Sequence, residues 1–412
     1  MSYPLEKLLS HIEILSGYAF KSKDFCDAGV PVIKIKNITP PYVTLEDLSF
    51  VSKEIAQAQS KFQLKYGDVL LALTGSHINQ MASVVGRVAR VKYHVPSLLN
   101  QRVGKIIAID PDDIDIDYVY YFLSQNEIKI KLASKAGGAA NQANISPSDV
   151  KNLEIPFPDI ALQRRIASVL LAYDNLIENN QKQIELLEDA TQRLYKEWFV
   201  DLRFPGYEDT PVEDGIPDGW KKCSILDNDI FIFAKSKVAP FEGQKEYYAT
   251  ADVTGTQISG DGEWITFQNK PSRAAIQPLN ESVWFARMSN SYKILCCYGD
   301  SSYLSETAII SSGFAGFTAC KDCYGFVYAT IASKGFDEEK NRYATGATQV
   351  SLTNEGLKKI QVVLPTKDVA EEYSRIVEPY IEKAEQLKRS IKLLRQARDR
   401  LLPKLMSGEV KV

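Results

Sequence analysis

No run of about eighteen apolar residues occurs in the chain, so its hydropathy offers no helical membrane span. The N-terminal Met1-Ser-Tyr-Pro-Leu-Glu-Lys lacks the basic-then-apolar order of a secretory signal. Histidine is scarce, and His11, His77 and His94 lie too far apart in sequence to show a metal-ligand spacing. The six cysteines, Cys26, Cys223, Cys296, Cys297, Cys320 and Cys323, crowd toward the second half without the pattern of a disulfide framework. Reduced thiols in a cytosolic setting are the simpler expectation. No P-loop and no nuclease-like cluster of carboxylates with lysine stands out, so no catalytic residues are assigned. The net charge of −3 gives no global push toward nucleic acid, and DNA binding would need Lys and Arg segregated onto one face.

What the chain does have is an internal repeat at an offset of 207. Gln142 falls on Gln349, Ile145-Ser146 on Leu352-Thr353, Leu153 on Ile360 and Pro158 on Pro365; Ile184, Leu187 and Leu194 then fall on Ile391, Leu394 and Leu401. Residues 1–158 carry short alternating strands such as Val30–Asn37, Gly67–Leu73 and Val84–Val91, followed by a helical stretch from Tyr118 to Leu132. Residues 159–200 step by four and three through Ile166, Leu170, Tyr173, Ile177, Asn180, Ile184, Leu187, Thr191, Leu194 and Trp198, the seam of a long coiled-coil helix of roughly 60 Å. A linker, 201–216, is rich in Pro, Gly and acids. Residues 217–365 repeat the first domain in outline at offsets of 214 and 215, and 366–412 form a second long helix. Its seam is the first plus 207: Tyr373, Val377, Tyr380, Ala384, Leu387, Ile391, Leu394, Arg398, Leu401 and Leu405. Pro379 is expected to kink or restart that helix. The fold class is therefore mixed α/β: two similar domains, each a small curved β-sheet with helices, and two long helices paired antiparallel.

With this plan, the chain resembles the specificity (S) subunits of type I restriction–modification systems over nearly its full length. The carriers are Pro156-Phe-Pro-Asp-Ile-Ala-Leu-Gln-Arg-Arg-Ile166, Leu194-Tyr-Lys-Glu-Trp-Phe-Val-Asp-Leu-Arg-Phe204 and Leu401-Leu-Pro-Lys-Leu-Met-Ser-Gly-Glu409. The resemblance implies two target recognition domains, each reading half of a bipartite asymmetric site in double-stranded DNA. It implies paired helices that set the gap and carry two modification (M) subunits, with restriction (R) subunits joining the full complex. S-adenosylmethionine would then reside in the M subunits and ATP with Mg in the R subunits, none of them in this chain. The seam residues Ile166, Leu170, Tyr173, Ile177, Ile184, Leu187, Leu194, Trp198, Val377, Tyr380, Leu387, Ile391, Leu394, Leu401 and Leu405 become the expected spacer and M-subunit interface. Ala370 in place of Gln163, and Pro379 with no counterpart, depart from strict equivalence of the two halves.

Sequence-specific reading needs polar side chains at base edges and cations on phosphates. In the first domain the candidates are Lys34, Lys36 and Asn37 along one strand, Ser76, His77, Asn79 and Gln80 in a polar loop, Arg87 with Arg90 nearby, and Asn141, Gln142 and Asn144 after a Gly-Gly pair. In the second they are Arg273, Asn290, Ser291, Tyr292, Lys293, Thr348, Gln349 and Ser351, with Arg342 a phosphate candidate. Gln142 and Gln349 share one place in the repeat, which fits a common structural job as well as base contact.

Two motifs point elsewhere. Thr39-Pro-Pro-Tyr42 is close to the Asn/Asp-Pro-Pro-Tyr/Phe motif of adenine-N6 methyltransferases, but Thr cannot supply the amide and no glycine-rich cofactor loop precedes it. Cys320-Lys-Asp-Cys323 with Cys296-Cys297 suggests half of a zinc site, yet adjacent cysteines diverge along a strand, and no metal is assigned. The competing readings are a stand-alone adenine methyltransferase or nuclease, which lacks its motifs here, and a helical scaffold that binds no DNA, which leaves the polar loops without a role.

Overall fold

The computed structural model describes residues 3–75, 85–135, 143–346 and 350–412. The chain divides into two compact units, Met1–Asn175 with Arg395–Val412, and Leu176–Leu394.

The first unit is built on a six-stranded sheet ordered Ile12–Ser16, Val103–Ala108, Val69–Ala72, Val88–Arg90, Tyr42–Val43, Ile38–Thr39. A five-stranded sheet, ordered Phe25–Cys26, Ser49–Val51, Val30–Ile33, Ser97–Leu99, Gln63–Leu64, completes it. The strand Val69–Ala72 explains why its sequence is continuously apolar. Val69 and Leu71 enter the core beneath the helix Ile116–Ser124, whereas Leu70 and Ala72 enter a second core with Ile33, Leu64 and Leu99. Successive side chains point to opposite faces, so a strand buried on both faces has no polar positions to spare. Ile166 and Leu170 of the first long helix, Ile160–Tyr195, and Leu402, Leu405 and Met406 of the second, Lys367–Ser407, belong to the first of these cores.

The second unit repeats this construction. Its sheets are ordered Phe231–Phe233, Phe314–Ala319, Ser282–Ala286, Ile294–Cys297 and Glu263–Ile265, Lys245–Tyr248, Ala308–Ser311, Ala274–Ile276. Val283 and Phe285 face one core while Trp284 and Ala286 face the other. Register is preserved as well as order. Val69 pairs with Ile106 as Val283 pairs with Phe317, and Val32 with Leu98 as Tyr247 with Ile309. The short helices before each long one begin alike: Ser146 Oγ accepts from the Asp149 N–H and Thr353 Oγ1 from the Gly356 N–H, both at 3.1 Å. These caps lie 207 apart, the offset read from the sequence.

Within each unit the long helices run antiparallel. In the first, Asp174 meets Arg398. In the second, Asn180 Nδ2 donates to Ser390 Oγ at 3.2 Å and the Tyr373 hydroxyl to the Thr191 carbonyl at 2.8 Å. Two details differ from the sequence reading. The second helix passes through Pro379 without a break. Pro379 and Arg375, whose carbonyl loses its helical donor to the proline, are both exposed, so water can satisfy that oxygen. The seam also shifts at this point, Tyr380 being 39% exposed and Ile381 3%. The segment after the first long helix, read as a linker, is packed: Phe204 is buried with its ring 4.7 Å from that of Trp220, and Val212–Glu213 pairs with Ile216–Pro217.

Candidate nucleic-acid interface

In the first unit the Lys34–Asn37 segment is not an alternating strand. The strand ends at Ile33, and Ile35–Asn37 is a 3-10 turn. Asn37 causes the change: its side chain accepts from the Lys34 N–H at 3.0 Å and donates to the Glu46 carbonyl at 2.9 Å, a local alternative to the ladder. Asn37 is buried by these bonds. Lys34 Nζ reaches Ser49 Oγ at 2.8 Å and lies 4.0 Å from the Phe25 ring centroid, and burial followed by the Lys36 charge lowers its pKa. Lys36 is exposed and ion-paired to Asp47. Arg87 is half-buried near Lys129, whose pKa is lowered by burial and then by the Arg87 charge. Arg90 is buried and internally paired, so it is no surface cation. Ser76, His77, Asn79, Gln80, Asn141 and Gln142 lie outside the described residues, as do Thr348 and Gln349.

The residues that bound those first-unit segments are brought together. Thr74–Gly75 pairs with Ala143–Asn144, and Asn144 is exposed. Leu73 is the hub: its N–H donates to the Arg102 carbonyl at 3.0 Å, and its carbonyl accepts from the Ile145 N–H at 2.9 Å. The second unit has the same junction. The Arg287 N–H donates to the Gly313 carbonyl at 2.9 Å, the Leu352 N–H to the Arg287 carbonyl at 2.8 Å, and Met288 bridges to Ser351. Three chain segments thus converge at one junction in each unit, two of them leading into stretches the sequence singled out as polar.

Around the second junction the candidates form an anchored turn. Asn290 has φ 55°, which asparagine tolerates, and its N–H donates to Asn341 Oδ1 at 2.9 Å. The Ser291 carbonyl accepts from Lys340 Nζ at 2.8 Å, the Tyr292 hydroxyl donates to the Ala332 carbonyl at 3.0 Å, and Lys293 Nζ to the Thr250 carbonyl at 2.6 Å. Tyr292 and Lys293 therefore serve the turn first. Arg273 is exposed and its carbonyl accepts from the Ser312 N–H; Arg342 pairs with Glu339, and Ser351 is half-buried.

Most of the long-helix candidates are used internally. Ile166, Leu170, Leu401 and Leu405 pack in the first unit, and Leu194, Trp198 and Val377 in the core of the second. Ile177, Ile184 and Leu187 pack with Ala384, Leu387 and Ile391. Tyr173 and Leu394 are half-buried. The heptad reading missed charged layers between the helices. Asp174 accepts from Arg398 and from the Tyr121 hydroxyl, both at 2.6 Å. Lys388 lies 2.8 Å from both Glu188 and Glu385.

The motif residues have structural partners. Thr39 Oγ1 donates to the Tyr42 carbonyl at 3.0 Å, and Cys296 Sγ lies 3.1 Å from the Tyr324 hydroxyl, burial pushing the thiol's pKa up. Among the described residues no group of three or more His, Cys, Asp or Glu is arranged to hold a metal, and no helix is long and apolar enough to cross a membrane.

Fold and junction define a duplicated α/β protein in which each unit also contains an antiparallel pair of long-helix segments. Residues 9–189 match the family model described as the type I restriction modification DNA specificity domain. The chain is 24% identical over 411 residues to the type I restriction enzyme MjaIX specificity subunit of Methanocaldococcus jannaschii, covering 95% of this chain and 89% of that one. It is 31% identical over 188 residues to the MjaVIII specificity subunit of the same organism, 46% and 43% of the two chains. The crystal structure of the type I restriction–modification S subunit from M. genitalium has the same fold, with a TM-score of 0.58 at 17% identity over 98% of this chain and 96% of that one. The chain is thus similar to type I restriction specificity subunits, through the family model over residues 9–189 and through the MjaIX subunit over most of its length.

Proposed function

We propose that this chain is the non-catalytic subunit that gives a type I restriction–modification complex its DNA sequence specificity. Each unit reads one half of a bipartite, asymmetric site in double-stranded DNA, and the length of the paired helices sets the gap. The observation that carries the reading is the junction formed once in each unit with identical backbone bonds and different side chains: Leu73, Arg102 and Ile145 in one, Arg287, Gly313 and Leu352 in the other. A retained scaffold with substituted surface residues suits two readers of different sequences.

In this reading two M subunits dock on the chain and supply S-adenosylmethionine and the adenine-N6 chemistry, and R subunits add ATP- and Mg-dependent restriction. The outward apolar side chains Leu176, Leu186, Tyr380 and Leu393, 46%, 68%, 39% and 57% exposed, are among the parts of the long helices still available to such partners. The test is to purify the M subunit with and without this chain and follow methyl transfer to unmodified host DNA. Transfer that requires this chain supports the proposal; equal transfer by the M subunit alone contradicts it.

A further inference from the structure

Beside the first junction, Asn100–Val103 forms a turn between the strands Ser97–Leu99 and Val103–Ala108. Its backbone is held from several sides. The Val103 N–H donates to the Asn100 carbonyl at 2.9 Å, the Gln101 N–H to the Tyr18 carbonyl at 2.9 Å and the Asn100 N–H to the Ile33 carbonyl at 3.1 Å. The Arg102 carbonyl accepts from Leu73, and the Arg102 N–H faces Asn100 Oδ1 at 3.4 Å. The side chain of Arg102 is treated differently. It is exposed and has no hydrogen bond or ion pair among the described residues, whereas Arg90 and Arg398 are paired with carboxylates. A guanidinium on a fixed main chain, one hydrogen bond from the strand that runs into Thr74–Gly75, is a preorganised cation.

We infer that Arg102 contacts a backbone phosphate of the DNA bound by the first unit, fixing the register in which that unit reads its half-site. This assignment rests on the DNA-reading function proposed above and names a residue for it.

The second unit carries no cation on the turn itself, although the exposed Arg273 lies beside it, its carbonyl accepting from the Ser312 N–H. Its equivalent turn keeps the same local bond, the Gly313 N–H to Ser311 Oγ at 3.1 Å, and the same link to the hub. Position 313 is glycine, where a Cβ would stand 2.9 Å from Thr250 Cγ2. The scaffold is therefore common to both units, while the charge at the turn is not.

The experiment uses the full chain in complex with its M subunit and a duplex carrying the methylated site, with affinity measured across a range of salt concentrations. Arg102→Ala is expected to weaken binding about tenfold and to reduce the slope of log affinity against log salt by about one, as for the loss of one phosphate contact. Arg102→Lys should retain the slope, and both half-site sequences should remain unchanged. A wild-type slope for Arg102→Ala overturns the inference, as does a motif that becomes degenerate in one half, which would make Arg102 a base reader. Failure of the wild-type complex to methylate any two-part site would overturn the DNA-reading function itself, and is distinguished from either result. Because Arg102 is exposed, the Ala variant should melt at the wild-type temperature, which separates a binding defect from a folding one.

Discussion

Asp174 of the first long helix and Arg398 of the second meet at 2.6 Å, with the Asp174 side chain only 1% exposed. The same carboxylate takes the Tyr121 hydroxyl at 2.6 Å and has Arg90 Nη1 3.5 Å away. Arg90 in turn pairs with Asp117 at 2.8 Å and lies 3.7 Å from the Tyr120 ring centroid. One buried carboxylate therefore joins a strand, a short helix and both long helices of the first unit, and makes the C-terminal residues part of that unit.

Asp174→Ala leaves Arg90 and Arg398 facing a void. Breaking a buried pair from one side costs about 3–5 kcal/mol, and urea denaturation of the full chain should show a loss of that size. A change below about 1 kcal/mol, the range of surface pairs, would mean that the cluster is not coupled as its geometry indicates.

Lys388 gives the second unit a pH-dependent counterpart. Burial works against its charge, but Glu385 and then Glu188 outweigh that effect and raise its pKa. Its stabilisation is therefore complete below the ordinary lysine value and is lost as pH rises through the elevated one. Burial raises the Glu385 pKa, with Lys388 pulling it back. In Lys388→Met that restraint is gone, and the folded state binds a proton at Glu385 more tightly than the unfolded state does. The variant should lose about 3–5 kcal/mol at neutral pH and recover part of it as pH falls toward the ordinary glutamate value of about 4.3. Melting curves at several pH values test this. A wild-type–variant difference that widens on acidification would contradict it.

Four residues inserted after Leu187 add about one helical turn, roughly 6 Å. If helix length sets the gap, the insertion lengthens it and leaves both half-site sequences unchanged. Sequencing the methylated motif of the variant checks this, and an altered half-site would contradict the spacer role.

The 207-residue offset was legible because each half preserves a capped short helix, a strand and a long helix without insertions. The offset drifts to 214 and 215 only through loops of different length between strands whose register is retained. The charged layers were hidden because a heptad scan weighs apolar residues, while Asp174, Glu385 and Lys388 sit on buried faces only once their partners are in place. Lys34, Lys36 and Asn37 read as a strand because alternation does not register the two hydrogen bonds by which Asn37 turns the chain. Arg102 escaped notice because Asn100-Gln-Arg-Val103 is a short turn between apolar strands, and its place beside Leu73 depends on pairing distant in sequence.

Reading of two half-sites by this chain leaves a direct trace in DNA. Single-molecule methylome sequencing of a host expressing the chain with its M subunit, compared with the same host lacking the chain, would reveal it. A new N6-methyladenine motif of two defined halves separated by a fixed gap is the expected result. No new motif, with the M–S complex shown to be intact, would contradict it and favour a scaffold that binds no DNA.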